Sequence, residues 1–117
     1  MVLYDFFQAH AQDSDEQMVN WLRPTLENDS RFAQVCKDTG DSDVENCAKT
    51  FARYVVSEVR YGNFLDNPAW QNASPVEQMR ELLMSWLFWL YYGGGDGLDD
   101  TETAVWLARV IYTTYKD

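Results

Sequence analysis

The stretch 74–93 constrains the fold of this chain more than any other part of the sequence. Ser74 can act as an N-cap, and Pro75 suits the first helical position because the N–H that it lacks would have no partner there. Nearly every residue from 82 to 92 is apolar or aromatic. A helix that is apolar nearly all round must be buried on most of its sides. We therefore predict a central helix over residues 75–92, ended by the glycine that follows it, with the other helices packed around it.

Helical periodicity covers most of the first third of the chain as well. Residues 2–9 form a short apolar segment that we interpret as a helix. Ser14 and Gln17 have the spacing of a capping box, and they begin a helix that Pro24 either ends or kinks. A weaker helix covers residues 25–38, and the Asn-Asp-Ser sequence within it can interrupt it.

Two further helices are predicted on either side of the central one. Ser42 is placed as the N-cap of an amphipathic helix that ends at Gly62, with Glu45 at the capping-box position. Residues 63–73 are predicted to form a loop over the core, and a last helix covers roughly residues 101–115. No strand pattern, internal repeat or heptad run is found, so the 117 residues predict one all-α domain, an irregular bundle of about five helices.

The chain is strongly acidic. It has 19 acids against nine bases, which gives a net charge of −10, and its hydrophobic share of 46% is sufficient for a core. Such a field repels nucleic acids and anionic membranes and favours basic partners. The bases are scattered singly along the sequence, so direct nucleic-acid binding is not expected. The competing interpretation is that the acids serve solubility alone.

The sequence predicts a cytoplasmic protein without a bound metal. Its N-terminal segment lacks the basic region and cleavage site of a signal peptide. The apolar run at 82–92 has about half of the ~20 residues that cross a bilayer. Cys36 and Cys47 do not have the spacing of metal ligands, and we expect both to be buried, reduced thiols.

No catalytic motif is recognisable. His10, the single histidine, has no nucleophile in a recognisable setting beside it. Glu58 and Glu81 have the most apolar neighbours among the acids, but both suit the solvent side of an amphipathic helix better than catalysis. The Gly-rich segment 93–97 lacks the lysine of a phosphate loop and the ligand pattern of an EF-hand. We expect a protein that is not an enzyme and needs no cofactor; a carboxylate enzyme is the less favoured alternative.

The acids themselves are the candidate partner-binding residues. Several lie at predicted helix starts, where the helix macrodipole favours negative charge, and this accounts for about half of them. The others are expected to form rows of carboxylates on the solvent side. Such rows can imitate duplex DNA, which carries one negative charge per ~1.7 Å of its axis. The candidates fall in two sequence clusters, Asp13, Asp15, Glu16, Glu27, Asp29, Asp38, Asp41, Asp43 and Glu45, and then Asp96, Asp99, Asp100 and Glu102.

In size, acidity and the absence of both a catalytic motif and a basic patch, the chain resembles the small acidic DNA-mimic proteins of bacteria and phages. This group includes the Neisserial mimics that target a histone-like protein or a repressor, and the anti-restriction and anti-CRISPR mimics. The resemblance lies in overall character and not in a motif, so it identifies no residue. It implies a protein that occupies the DNA-binding surface of a basic DNA-binding protein, with a histone-like protein as the first expectation.

An immunity or antitoxin protein that neutralises a basic nuclease toxin is the alternative. Its interface would contain an aromatic hot spot as well as charge. The aromatic candidates in the sequence are Trp70, Tyr91, Tyr92 and Trp106. Carboxylate rows at phosphate-like spacing favour the mimic, whereas an acidic patch around exposed aromatic side chains favours the toxin partner.

Overall fold

The computed structural model describes residues 3–40, 42–62, 68–92 and 101–116, without the side chains of residues 3, 4, 70, 91 and 92. The described residues form helices and no strand, which confirms the predicted all-α class. The helices are α1 (Leu3–Ala9), α2 (Asp15–Glu27), α3 (Ser30–Asp38), α4 (Val44–Tyr61), α5 (Pro68–Asn72), α6 (Pro75–Tyr92) and α7 (Thr101–Thr114).

The capping box predicted at the start of α2 is present. The Ser14 hydroxyl accepts a hydrogen bond from the backbone N–H of Gln17 at 3.1 Å, and the Gln17 side chain accepts one from the Ser14 N–H at 2.8 Å. Of the two outcomes expected at Pro24, termination is not observed, because α2 runs on to Glu27. The proline removes one backbone donor, while its own carbonyl still accepts a hydrogen bond from the Asn28 N–H at 3.1 Å.

Side-chain caps also define α3 and α4. The interruption expected within residues 25–38 is confirmed, since Asp29 caps α3 by accepting a hydrogen bond from the Arg31 N–H at 2.8 Å. The predicted cap at Ser42 is wrong. The helix begins one residue later, and the Asp43 carboxylate accepts a hydrogen bond from the Asn46 N–H at 3.1 Å. Serine and aspartate are equally good N-caps, so the sequence did not distinguish the two positions.

Helix α4 ends at Gly62, as predicted. A Cβ atom at this position would lie 2.6 Å from the backbone carbonyl oxygen of Glu58, to which the Gly62 N–H donates. Any other residue would therefore force the end of the helix to shift.

Helix α4 contributes the largest apolar face to the core. Its buried residues recur at three- and four-residue steps and include most of the predicted stripe; they are Cys47, Ala48, Phe51, Ala52, Val55, Val56 and Val59. Helix α4 packs most extensively on α2 and also contacts α3 and α6. The Phe51 ring lies 5.5 Å from the Phe32 ring of α3 and 5.1 Å from the Trp86 ring of α6, between ring centroids. Cys36 and Cys47 are buried, as predicted, and form no disulfide bond.

The predicted helix over residues 75–92 is confirmed, and Ser74 caps it by accepting a hydrogen bond from the Glu77 N–H at 3.1 Å. The expected burial on most sides is wrong for its last turn. The buried face consists of Gln78, Leu82, Leu83, Trp86 and Leu87, while Trp89 and Leu90 are 64% and 49% exposed. The glycine expected to end the helix lies outside the described residues.

Helices α6 and α7 pack antiparallel. The Arg80 guanidinium, near the start of α6, donates a hydrogen bond to the carbonyl of Tyr115, just beyond the end of α7, at 2.6 Å. The Tyr112 hydroxyl donates to the Glu81 carboxylate at 2.9 Å. The last turn of α6 therefore lies toward the first turns of α7.

The remaining predictions concern the connection to α6 and the membrane. The segment predicted as a loop over residues 63–73 contains the short helix α5, and residues 63–67 lie outside the described part of the chain. Within the described residues, no helix has the length and apolar character needed to cross a membrane.

Two leucines of α6 test the assignment of its buried face. Leu87→Ala is expected to lower the free energy of unfolding by roughly 2–5 kcal/mol, because the leucine is 2% exposed and its loss leaves a cavity. Leu90→Ala, on the same helix, is the matched control and should change it by about 0.5 kcal/mol or less. Urea unfolding followed by circular dichroism measures both. Equal losses would show that the inner face is wrongly assigned.

Candidate functional site

Nine of the thirteen predicted acids lie in the described part of the chain. Asp41, Asp96, Asp99 and Asp100 lie outside it. The nine lie at or beside the ends of α2, α3 and α4 and at the start of α7. The chemistry of each position decides which acids remain available for a partner.

Asp13 and Asp15 join the start of α2 to the end of α4. The Arg60 guanidinium donates hydrogen bonds to the Asp15 carboxylate and to the Asp13 backbone carbonyl. The Tyr61 hydroxyl donates to the Asp15 carboxylate at 3.1 Å. The Asp13 carboxylate lies 2.8 Å from Nδ1 of His10, so the single histidine contacts an acid of its own segment. Asp15 therefore links the two helix ends through its carboxylate, whereas Asp13 does so through its backbone carbonyl.

Asp29 is also structural. Besides capping α3, its carboxylate accepts a hydrogen bond from the buried Tyr115 hydroxyl at 3.3 Å. Burial raises the pKa of Tyr115 above its ordinary value, and the charge of Asp29 and this hydrogen bond raise that pKa further. The Arg31 guanidinium lies 4.7 Å from the centre of the Tyr115 ring and completes the contact. Asp29 therefore links α3 to the residue that follows α7.

Five more of the predicted acids have local explanations at helix ends. Asp43 is the N-cap of α4. Glu16, Glu45 and Glu102 lie in the first turns of α2, α4 and α7, where the positive end of the macrodipole favours a carboxylate. Glu27 ends α2, but it lies 3.7 Å from the Arg23 guanidinium. These roles account for more of the acids than the half that the sequence suggested.

Asp38 is the exception among the nine. It is the last residue of α3, where the macrodipole disfavours negative charge. Its exposed carboxylate accepts a hydrogen bond from the Gln34 side chain at 2.8 Å, which offsets part of this cost. Asp38 therefore has the weakest structural reason to be an acid.

Four large apolar side chains are exposed at one end of the α6–α7 pair, and we call them the α6–α7 apolar surface. Trp89 and Leu90 of α6 are 64% and 49% exposed, and Val105 and Trp106 of α7 are 47% and 40% exposed. The antiparallel packing places both pairs toward the same end. Of the aromatic residues proposed as a hot spot, Trp106 is exposed, while the side chains of Trp70, Tyr91 and Tyr92 lie outside the described set.

Sequence reasoning missed Trp89, Leu90 and Val105 because their apolar neighbours suggested burial. The available signal was position, since the first two lie in the last turn before a glycine run.

A second surface feature is a groove of about 560 Å³ between α2 and α4. It is lined by Asp15, Glu16, Val19, Asn20, Arg23, Lys49 and Arg53. The sequence did not indicate it, because Arg23 is far along the chain from the other two bases. Among the described residues, no three His, Cys, Asp or Glu side chains are grouped to hold a metal ion.

The chain matches no known protein-family model, and it has no significant match among curated proteins or among solved structures. Its function is therefore inferred from the chemistry of its own surface.

The contact between Tyr115 and Asp29 predicts how stability depends on pH. The unfolded chain ionises Tyr115 near a pKa of about 10, whereas the folded chain keeps it protonated, so its contribution is complete below about pH 10 and falls as the pH rises further. Above about pH 10, the unfolding free energy of wild type should therefore fall relative to that of Tyr115→Phe, by up to about 1.4 kcal/mol per pH unit. Parallel curves from urea unfolding would contradict this.

Alanine substitutions at Asp38 and Asp43 remove the same carboxylate from the two sides of one turn. Asp43→Ala should cost about 0.5–2 kcal/mol of unfolding free energy because α4 loses its cap. Asp38→Ala should cost about 0.5 kcal/mol or less, or stabilise the chain. Thermal and urea unfolding compare them, and an equal cost would give Asp38 a structural role.

Proposed function

We propose that the protein is a non-enzymatic inhibitor that binds a basic protein through the α6–α7 apolar surface and the acids near it. The observation that carries this proposal is the exposure of Trp89, Leu90, Val105 and Trp106 on a chain of net charge −10. Exposed apolar surface of this kind marks interaction sites, because leaving it in water is unfavourable. Tryptophan is also among the residues most enriched in binding hot spots.

Charge defines the chemistry of the partner. Glu102 is exposed in the first turn of α7, three residues before Val105 of the apolar surface. Asp96, Asp99 and Asp100 precede α7 in the sequence. Acids beside an apolar contact favour a partner with basic residues around its own apolar contact, and they raise the rate of encounter.

Neutralisation of a basic toxin, such as a nuclease, is the form of inhibition that this arrangement supports best. An antitoxin or immunity protein needs a tight contact and no catalytic group of its own. The buried Cys36 and Cys47, which form no disulfide bond, are compatible with the cytoplasm, where we propose that the protein acts.

DNA mimicry is the second candidate, and the position of Asp38 favours it. Asp38, Asp43 and Glu45 are exposed on the two sides of the turn between α3 and α4. A carboxylate at the C-terminal end of a helix, where the macrodipole disfavours it, suggests that a partner uses this group. In this form the acids of the turn, together with Asp41, would occupy the DNA-binding surface of a histone-like protein.

The first experiment captures the partner from host lysate at low salt and then challenges the complex with excess duplex DNA. Retention of the partner supports the toxin form. Release of a basic DNA-binding protein supports mimicry, because the two ligands then share a surface. If wild type captures no basic protein, the acids serve solubility and the proposal fails.

Substitutions then separate the two forms with the purified partner. Trp89→Ala should weaken binding by about 2 kcal/mol or more. It should change the unfolding free energy by about 0.5 kcal/mol or less because the ring is 64% exposed. Tyr61→Ala, at a 70% exposed aromatic residue of α4, is the control and should leave affinity unchanged. Calorimetry and surface plasmon resonance measure the affinities and rates.

The triple variant Asp38→Asn, Asp41→Asn and Asp43→Asn completes the comparison. Asparagine preserves the cap of α4, so folding should be nearly unaffected. In the toxin form, this variant slows association and leaves dissociation almost unchanged. If the triple variant loses binding and Trp89→Ala binds as tightly as wild type, the toxin form is rejected and the mimic form takes its place.

A further inference from the structure

We propose that the groove between α2 and α4 binds a small molecule that carries a phosphate group. Arg23 of α2 and Lys49 and Arg53 of α4 line the same groove. They are three of only nine bases in a chain with 19 acids. The proposal does not depend on the partner-binding function, because its residues are separate from the α6–α7 apolar surface.

The packing of α2 on α4 brings the three bases together. Lys49 and Arg53 are one helical turn apart on α4, so both point to one side of that helix. Arg60, near the end of α4, contacts Asp15 at the start of α2, which makes the two helices antiparallel. Arg23, near the end of α2, therefore lies beside the first half of α4.

Lys49 and Arg53 form no ion pair within 4.0 Å in the described part of the chain, although acids outnumber bases by two to one. The Arg23 contact with Glu27 is loose, at 3.7 Å. The Nε atom of Arg23 is buried and has no hydrogen-bond partner among the described residues. Three positive groups that face one groove repel each other, and an anion bound between them would remove that repulsion.

The volume and the polar ends of the groove define the ligand. About 560 Å³ lies within the ~300–1,000 Å³ typical of small-molecule sites. A phosphate accepts paired hydrogen bonds from arginine and a further bond from lysine. Asp15 and Glu16 line the opposite end, where they repel a long polyanion and can accept hydrogen bonds from hydroxyl or amine groups. The ligand therefore has a phosphate at one end and hydrogen-bond donors at the other.

O-phosphoethanolamine and inorganic phosphate are suitable probes, and amide chemical shifts of the ¹⁵N-labelled full chain measure their binding. We expect saturable shifts confined to α2 and α4, with tighter binding of O-phosphoethanolamine because its amine reaches the carboxylate end. If only inorganic phosphate bound, the phosphate site would remain in the proposal. The requirement for hydrogen-bond donors at the other end of the ligand would then be removed. Absence of saturable shifts with both probes would overturn it.

The double variant Lys49→Gln and Arg53→Gln should weaken probe binding by at least about tenfold, since two charge-assisted contacts are lost. Lys37→Gln with Arg109→Gln removes the same charge from exposed positions on α3 and α7 and should change affinity by about twofold or less. Equal weakening in both double variants would show a general charge effect and overturn the site. If the groove variant loses its helical circular dichroism, Arg53→Gln alone, at an exposed position, replaces it with the same direction of effect.

Discussion

The contacts of the Phe51 ring with Phe32 and Trp86 determine how α3, α4 and α6 are placed in the core. Helix α4 presents this ring to α3 and α6 at once, and most of its apolar stripe is buried. Helix α4 also packs on α2, whose Met18, Leu22 and Leu26 are buried in the same core, and the groove lies at the surface between these two helices. The fully buried Phe51 ring thus helps to place the groove, although it does not line the groove itself.

The exposed last turn of α6 continues the side of the helix that is buried further back. Trp89 and Leu90 follow Trp86 by three and four residues, which places them on the same side of the helix, yet they are 64% and 49% exposed. In a chain of 117 residues, a helix that is apolar on all sides can bury only part of its surface. The remaining part needs either another element of the chain or a partner.

Local signals predicted much of the fold, and tertiary contacts determined what they missed. The caps at Ser14 and Ser74 and the stripe of α4 could be predicted because each depends on a few neighbouring residues. Helix α2 passes through Pro24 because its packing on α4 outweighs the cost of one missing hydrogen bond. The groove could not be predicted, since it arises where separate helices meet, and of the apolar surface only Trp106 was among the sequence candidates. The candidate acids were found by composition, but composition did not show how many of them stabilise helix ends.

The exposed tryptophan at 89 has a consequence for how copies of the protein behave toward each other. An apolar surface that suits a partner also suits a second copy of itself, and water drives such surfaces together. Each copy carries a net charge of −10, so two copies repel each other before these surfaces meet. At about 0.1 M salt, charges more than about 10 Å apart are largely screened. The charge that attracts a basic partner thus opposes self-association, and added salt weakens both effects together.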